Sequence, residues 1–131
     1  MATFENSERL YEILGGFFRY LAEDATMAPK LLESKLIVRF DYTEPQASIT
    51  VDLSGSSIIV SHNDDSKRAE VVMRMKADVA HRFWLGQVNL MIALARREIV
   101  AKGPIPKILR LLPVIKPAHA LYQVYWAGLK L

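Results

Sequence analysis

The sequence contains no cysteine, which excludes disulfide bonds, a thiolate nucleophile and a cysteine-based metal site. No apolar run approaches the roughly 18 residues that a membrane-spanning helix needs. Glycine and proline are scarce, at six residues each among 131, and no low-complexity linker divides the chain. These absences favour one folded domain over residues 1–131 in a reducing compartment, and we expect a cytoplasmic protein.

Acidic residues are nearly absent from the last quarter of the chain. Residues 1–95 carry 10 Lys or Arg against 13 Asp or Glu, whereas residues 96–131 carry 7 against 1. The same quarter is rich in Leu, Ile, Val and Pro, and its four prolines exclude a long recognition helix. A cationic apolar segment suits an anionic membrane surface or an acidic ligand at least as well as nucleic acid. We expect no nucleic-acid partner.

Residues that would support catalysis are few. The three histidines, His62, His81 and His119, are isolated in sequence and none has a metal-ligand spacing. Glycine-rich phosphate-binding motifs and a Gly-x-Ser-x-Gly element are also missing. Asp78 can be drawn as a base beside His81 in a small lyase or isomerase, but an N-terminal helix cap explains Asp78 more simply. We therefore expect no catalysis, no cofactor and no metal.

Hydrophobic spacing predicts helices at the start of the chain. Apolar residues between positions 10 and 21 recur at i, i+3, i+4 and i+7, which lines one face of a helix. Asn6 or Ser7 can cap this helix. The glycine pair at 15–16 costs about 1 kcal/mol per residue relative to alanine, so we expect close packing there. A short second helix is predicted over residues 25–33.

From Lys35 the apolar period changes from about 3.6 to 2 residues, which is typical of strands with one buried face. Four strands are predicted, over residues 36–42, 49–53, 57–62 and 69–76. The short polar turns between them favour an antiparallel meander. Helical spacing then returns, with a fifth strand expected over 98–102. A helix is predicted from Ile105 that ends at Pro113, and a last helix from Pro117.

The stretch from Ala69 to Leu112 carries an ordered set of features: a strand, an Asp-led helix that ends at a glycine, a short helix, a strand that ends in Lys102-Gly103, and a further helix. This order, and the ten-residue interval from Ala93 to Gly103, resemble the sterol carrier protein-2 family. The chain departs from the family pattern at residues 86–87 and 97–98, where Gly-Gln and Arg-Glu replace the usual Gly-Lys.

The resemblance implies an α+β fold: a five-stranded, mainly antiparallel sheet covered on one face by about five helices and enclosing an apolar tunnel. It implies binding and transfer of a sterol, fatty acid or fatty acyl thioester without catalysis. We expect the ligand to contact ten residues of the strands and helices: Phe40, Val51, Val60, Met73, Phe83, Ile92, Leu94, Ile108, Leu112 and Trp126. Lys107, Arg110 and Lys116 are expected to hold the protein to anionic lipid during loading.

Two other interpretations of the C-terminal quarter remain. Its apolar face suits an interaction module that docks a partner enzyme or a second copy, with a core filled by the protein's own side chains. The last three residues, Leu129-Lys130-Leu131, resemble a peroxisomal Ser-Lys-Leu signal but lack its small first residue, so we expect no targeting role.

Overall fold

The computed structural model describes residues 3–64 and 66–129, so Lys130 and Leu131 of the C-terminal tripeptide lie outside the described residues. The first helix runs through α1 (Ser7–Leu10), a π-helical segment (Tyr11–Gly15) and α2 (Gly16–Glu23). Asn6 caps it, because its side chain accepts a hydrogen bond from the Arg9 amide at 2.8 Å. A short α3 (Met27–Glu33) follows.

The glycine pair of the first helix is closely packed, as expected. A Cβ atom on Gly15 would lie 2.9 Å from His62 Nε2, and one on Gly16 would overlap the Tyr125 hydroxyl. That hydroxyl donates a hydrogen bond to the carbonyl of Ile13 at 2.8 Å. The two glycines therefore allow the first helix to approach its neighbours closely, which offsets their low helix propensity.

The described residues form a five-stranded sheet in the order β3-β2-β1-β4-β5. The strands are β1 (Ile37–Thr43), β2 (Ala47–Asp52), β3 (Ile59–His62), β4 (Val71–Lys76) and β5 (Ile99–Lys102). Strand β1 pairs antiparallel with β2 and parallel with β4, and the β2–β3 and β4–β5 pairs are antiparallel. The predicted mainly antiparallel sheet is confirmed. The predicted meander is wrong, because β4 lies beside β1 instead of β3.

Side chains alternate between an apolar inner face and a more polar outer face of the sheet. The inner face carries Val38, Phe40, Tyr42, Ile49, Val51, Val60, Val71, Met73, Met75 and Ile99. The outer face carries the polar residues Arg39, Asp41, Ser48, Asp52, Arg74, Lys76 and Lys102 together with the apolar residues Ile37, Ile59, Val72 and Val100. The helices cover the inner face, as period-2 patterning with one buried face predicts.

The connection between residues 63 and 70 explains the parallel pairing. Its described residues pass from β3 along the outer face to β4, across three strand spacings or roughly 14 Å. Lys67 pairs with Asp52 there at 2.7 Å, and the Glu70 amide donates to the Ile37 carbonyl at 2.9 Å. A polar segment of this length can either close a hairpin or cross two strands, so turn length alone could not distinguish the two.

The second half of the chain adds four helices among the described residues: α4 (Ala77–Trp84), α5 (Leu90–Ala95), α6 (Ile105–Leu109) and α7 (Leu112–Leu129). Two predicted boundaries are wrong. Pro113 does not end a helix, since it lies in the first turn of α7, where no backbone N–H is needed. Pro117 does not begin a helix, since it lies inside α7 and leaves the Pro113 carbonyl without its usual i+4 donor.

Candidate functional site

An apolar cavity of about 80 Å³ lies between the inner face of the sheet and the helices. Every described side chain that lines it is aliphatic, aromatic or a methionine. They are Phe18, Leu21, Met27, Leu31, Val38, Phe40, Val51, Leu53, Ile58, Met73, Met75, Phe83, Trp84, Leu90, Ile99, Ile108, Leu111, Val114, Ile115 and Ala118. A cavity with such walls stays dry and favours hydrocarbon over polar ligands.

The sheet wall of the cavity follows directly from the strand register. Val38 of β1 lies opposite Val51 of β2, and Phe40 of β1 lies opposite Met73 of β4. These side chains project from three adjacent strands onto the same face. Unbranched methionine adapts its shape at low cost, so Met73 lets this wall adjust to a ligand.

The helical wall is built from aromatic side chains. Phe18 of α2 stacks on Phe40 with ring centroids 5.0 Å apart, and meets Trp84 of α4 edge-on at 5.9 Å. Phe83 lies edge-on to Trp84 at 5.0 Å. These contacts join α2, α4 and the sheet, so this side of the cavity is closed by packed rings.

The opposite side of the cavity is less tightly closed. Ile108 of α6, Leu111 after it and Ile115 of α7 line the cavity but are only half-buried. Helix α6 contains no fully buried residue. The hydrocarbon lining therefore reaches the surface of the protein beneath α6 and the start of α7.

Two polar contacts hold α6 against the rest of the molecule. Lys107 Nζ lies 2.5 Å from Glu70 Oε2, where both side chains are about one-third exposed at 34%. The hydrogen bond from Lys107 lowers the pKa of Glu70. Arg110 donates to the Ser34 carbonyl at 3.4 Å. The three basic residues predicted to face a membrane are therefore not equivalent, since Lys107 already has an acidic partner.

Five of the ten predicted ligand contacts line the cavity: Phe40, Val51, Met73, Phe83 and Ile108. The other five lie elsewhere: Val60, Ile92, Leu94, Leu112 and Trp126. On the short helix α5 only Leu90 and Ala93 are buried, and this leaves Ile92 52% exposed. Leu112 is 39% exposed at the start of α7.

Val60 and Trp126 lie outside the cavity for different reasons. Val60 belongs to the edge strand β3, beyond the part of the sheet that the cavity covers. Trp126 lies on α7 two turns after Ala118, where its ring meets that of His81 at 4.4 Å. Leu94 is half-buried against the core. Apolar character therefore identified neither which of these residues are buried nor which of them border the cavity.

The sequence interpretation missed the contribution of α2 and α3 to the cavity, through Phe18, Leu21, Met27 and Leu31. The i, i+3 spacing of Phe18 and Leu21 marked the buried face of the first helix. That spacing gives no information about which element the face contacts. Ala118 was missed as well, because a small residue in an apolar helix carries no signal of its own.

Asp78 and His81 make separate contacts on α4. An Asp78 carboxylate oxygen accepts a hydrogen bond from the Thr3 amide at 2.9 Å, and His81 Nδ1 lies 2.8 Å from the Tyr122 hydroxyl. Burial raises the pKa of Tyr122, so its hydroxyl stays protonated in this contact. The predicted cap is wrong, because Lys76 occupies the N-cap position of α4 and Asp78 lies in its first turn.

A mixed sheet with helices over its apolar inner face, and an apolar cavity between the two layers, defines an α+β domain with a hydrocarbon-lined interior. No helix within residues 3–64 and 66–129 is both long and apolar enough to cross a bilayer. The sequence model of the SCP-2 sterol transfer family matches residues 17–116. The chain therefore belongs to this family of lipid-binding domains, and the predicted resemblance is confirmed.

Solved structures share the fold at low sequence identity. The chain is similar to the sterol carrier protein domain 2 of Helicoverpa armigera, with a TM-score of 0.73, 14% identity, and coverage of 91% of this chain and 96% of that one. It is also similar to the apo form of sterol carrier protein 2 from Yarrowia lipolytica, with a TM-score of 0.60, 16% identity and coverage of 95% and 93%.

A third similar structure is the Aedes aegypti sterol carrier protein-2 in complex with palmitate, a C16 fatty acid. The TM-score is 0.50 at 18% identity, with coverage of 66% of this chain and 88% of that one. At these identities the likeness extends to the fold alone. No protein of curated function matches the chain.

Proposed function

We propose that residues 1–131 form a single carrier domain that binds a long-chain apolar ligand of the fatty-acid class and catalyses no reaction. The observation that carries this proposal is the cavity, whose lining residues are all apolar and come from both the sheet and the helices. Transfer of hydrocarbon from water to such walls contributes about 25 cal/mol per Å² of buried apolar surface. The palmitate complex of the similar Aedes aegypti protein suggests the first ligand to test. The cytoplasmic location and the predicted tunnel remain predictions.

The cavity has to widen before it can hold a long hydrocarbon chain. Its volume of about 80 Å³ is smaller than the roughly 150 Å³ of an apolar cavity that binds benzene. The side formed by α6 can widen most readily, because that helix has no fully buried residue. We therefore expect ligand binding to displace α6 while the aromatic wall around Phe18 stays in place.

Filling the cavity from α7 tests this proposal. Ala118 lines the cavity and is 1% exposed. The change Ala118→Leu places three further carbons in the space that the ligand needs, so we expect affinity for palmitate to fall at least tenfold, or by about 1.4 kcal/mol. The matched control is Ala120→Leu on the exposed side of the same helix, which should leave the affinity unchanged. Titration of palmitate into lipid-free protein measures both values.

Thermal unfolding with palmitate gives a second measurement. At a ligand concentration of about 100 times Kd, the carrier proposal expects the free energy of unfolding to rise by about 2.7 kcal/mol. An interaction module that docks an enzyme or a second copy through its C-terminal face predicts no change with palmitate. Equal affinity for palmitate in the wild type and Ala118→Leu would place the ligand elsewhere and contradict the proposed site.

Transfer of the ligand requires contact with a membrane, and we propose that the basic C-terminal quarter makes this contact with anionic lipid. Arg110 and Lys116 are exposed, and no acidic residue follows Glu98 in the sequence. Each basic side chain near an anionic surface contributes roughly 1 kcal/mol to binding. The charge reversals Arg110→Glu and Lys116→Glu should together slow palmitate transfer between anionic vesicles without changing affinity for palmitate in solution.

A further inference from the structure

The segment from Ile105 to Ile115 has apolar side chains on two sides. Ile108, Leu111 and Ile115 line the cavity. On the solvent side, Ile105 is 69% exposed and Leu109 45% exposed. Single exposed aliphatic residues are common, but a cluster within two helical turns marks a contact surface. We define this solvent-side cluster as the α6 patch: Ile105, Leu109 and Leu112.

The charge around the α6 patch is entirely basic along the chain. Lys107, Arg110 and Lys116 alternate with the exposed aliphatic residues, and residues 99–131 contain no Asp or Glu. Apolar residues that project among basic ones are typical of helices that lie in the interface of an anionic bilayer. An anionic bilayer presents negative headgroups directly above a hydrocarbon layer and so matches both kinds of side chain, and charge complementarity favours an anionic phospholipid surface as the occupant of the patch.

One ion pair joins α6, which bears the patch, to the segment before β4. Glu70 lies at the end of the connection before β4 and contacts Lys107 of α6, while its other carboxylate oxygen accepts from the Ile37 amide at 3.4 Å. The second contact, from Arg110 to the Ser34 carbonyl, is long at 3.4 Å. Partly exposed ion pairs contribute little net stability, because water competes for both charges. A phosphate group can therefore replace Glu70 as the partner of Lys107.

We propose that α6 is a lid over the cavity and that contact with anionic phospholipid opens this lid. Lipid phosphate replaces Glu70 as the ion-pair partner of Lys107. The side chains of Ile105 and Leu109 then enter the bilayer interface, and Ile108 moves out of the cavity wall. The cavity then opens toward the membrane that donates or accepts the ligand. The passage of cargo in this scheme rests on the proposed carrier function, whereas the exchange of partners at Lys107 does not.

The change Glu70→Gln tests the exchange directly, because it removes the competing charge and keeps the side-chain shape. We expect lipid-free Glu70→Gln protein to bind vesicles of phosphatidylcholine with one-quarter phosphatidylglycerol at least threefold more tightly than the wild type, measured by co-sedimentation. The control Glu8→Gln makes the same change of net charge at an exposed position of the first helix. It should change vesicle affinity by a clearly smaller factor.

The rate of palmitate transfer from vesicles tests whether α6 acts as a lid. The wild type should transfer palmitate at least tenfold faster from the anionic vesicles than from pure phosphatidylcholine vesicles. Glu70→Gln should raise the rate from neutral vesicles at least threefold, because the stronger of the two polar contacts that hold α6 is weakened. The double change Ile105→Ser and Leu109→Ser should slow transfer from anionic vesicles at least fivefold. The control Val124→Ser, at a 64% exposed position on α7, should have no effect.

The outcomes separate this proposal from the carrier function. If the wild type and Glu70→Gln transfer palmitate from neutral vesicles at equal rates, α6 is not a lid, even if palmitate binds in solution. Equal vesicle affinities for Glu70→Gln and Glu8→Gln would overturn the exchange of partners at Lys107. Protein that binds no palmitate in solution would overturn the carrier function, while co-sedimentation would still decide whether lipid phosphate competes with Glu70.

Discussion

Replacement of Gly103 by alanine is expected to lower the free energy of unfolding by about 3 kcal/mol or more. Gly103 follows β5 with a φ angle of +134°, a region that residues with a Cβ atom rarely adopt. Such a conformation costs on the order of 1–3 kcal/mol for a non-glycine residue. The new Cβ would also lie 2.5 Å from the Glu70 carbonyl oxygen, a backbone atom of the neighbouring chain segment that cannot rotate away.

Thermal unfolding of the lipid-free protein measures this effect. For a chain of this length, 1 kcal/mol corresponds to roughly 3–5 °C, so the unfolding midpoint should fall by about 10 °C. Gly55→Ala is the matched control, because a Cβ at Gly55 meets no atom within 4 Å and the residue has no positive φ. Similar midpoints for the two variants would contradict the close approach of Gly103 to Glu70.

Phe17→Ala is the second change with a large expected effect, at about 3–5 kcal/mol of lost stability. Phe17 is fully buried at 0% exposure. Its ring lies 4.7 Å from that of Tyr122 on α7 and 5.4 Å from that of Trp84 on α4, with both pairs edge-on. Truncation would remove the ring that joins three helices and leave a space that the rigid surrounding rings cannot fill.

Denaturant unfolding of Phe17→Ala and Tyr20→Ala gives the comparison. Tyr20 lies one turn later on the same helix, is 37% exposed and has one ring contact, with Tyr125 at 5.4 Å. Truncation of Tyr20 should lower the free energy of unfolding by less than half as much as truncation of Phe17. Phe17 does not line the cavity, so palmitate affinity of the folded variant should stay within about threefold of the wild type. Equal losses of stability at the two positions would contradict the central role of Phe17.

Local patterns were sufficient to predict many elements of the fold. Alternating apolar residues predicted β1, β2 and β4 and the face of each strand that is buried, because a strand has a fixed period of two. The helical spacing and the Asn6 cap predicted the first helix. The glycine pair predicted close packing, since glycine inside a helix has to be offset by a contact that a larger residue would block.

Two kinds of feature were harder to predict from the sequence: the pairing of strands, and the helix boundaries near proline. The parallel pairing of β1 with β4 depends on contacts between residues more than 30 positions apart, and turn length does not encode them. Pro113 and Pro117 were misplaced, because proline is compatible with both a helix start and a helix end in its neighbourhood. Five of the ten predicted ligand contacts line the cavity, and whether they contact a ligand stays a prediction, since apolar character does not predict which residues a buried side chain meets.

Four properties could be predicted before any coordinates were known: the α+β class, the apolar inner face of the sheet, the basic C-terminal quarter and the likeness to a lipid-binding family. Those properties depend on residue type and on short-range spacing, which the chain carries in order. Three others became known from the folded molecule: β4 lies beside β1, Phe18 and Ala118 border the cavity, and Lys107 contacts Glu70. These features depend on contacts between distant segments, and packing of the whole molecule selects them.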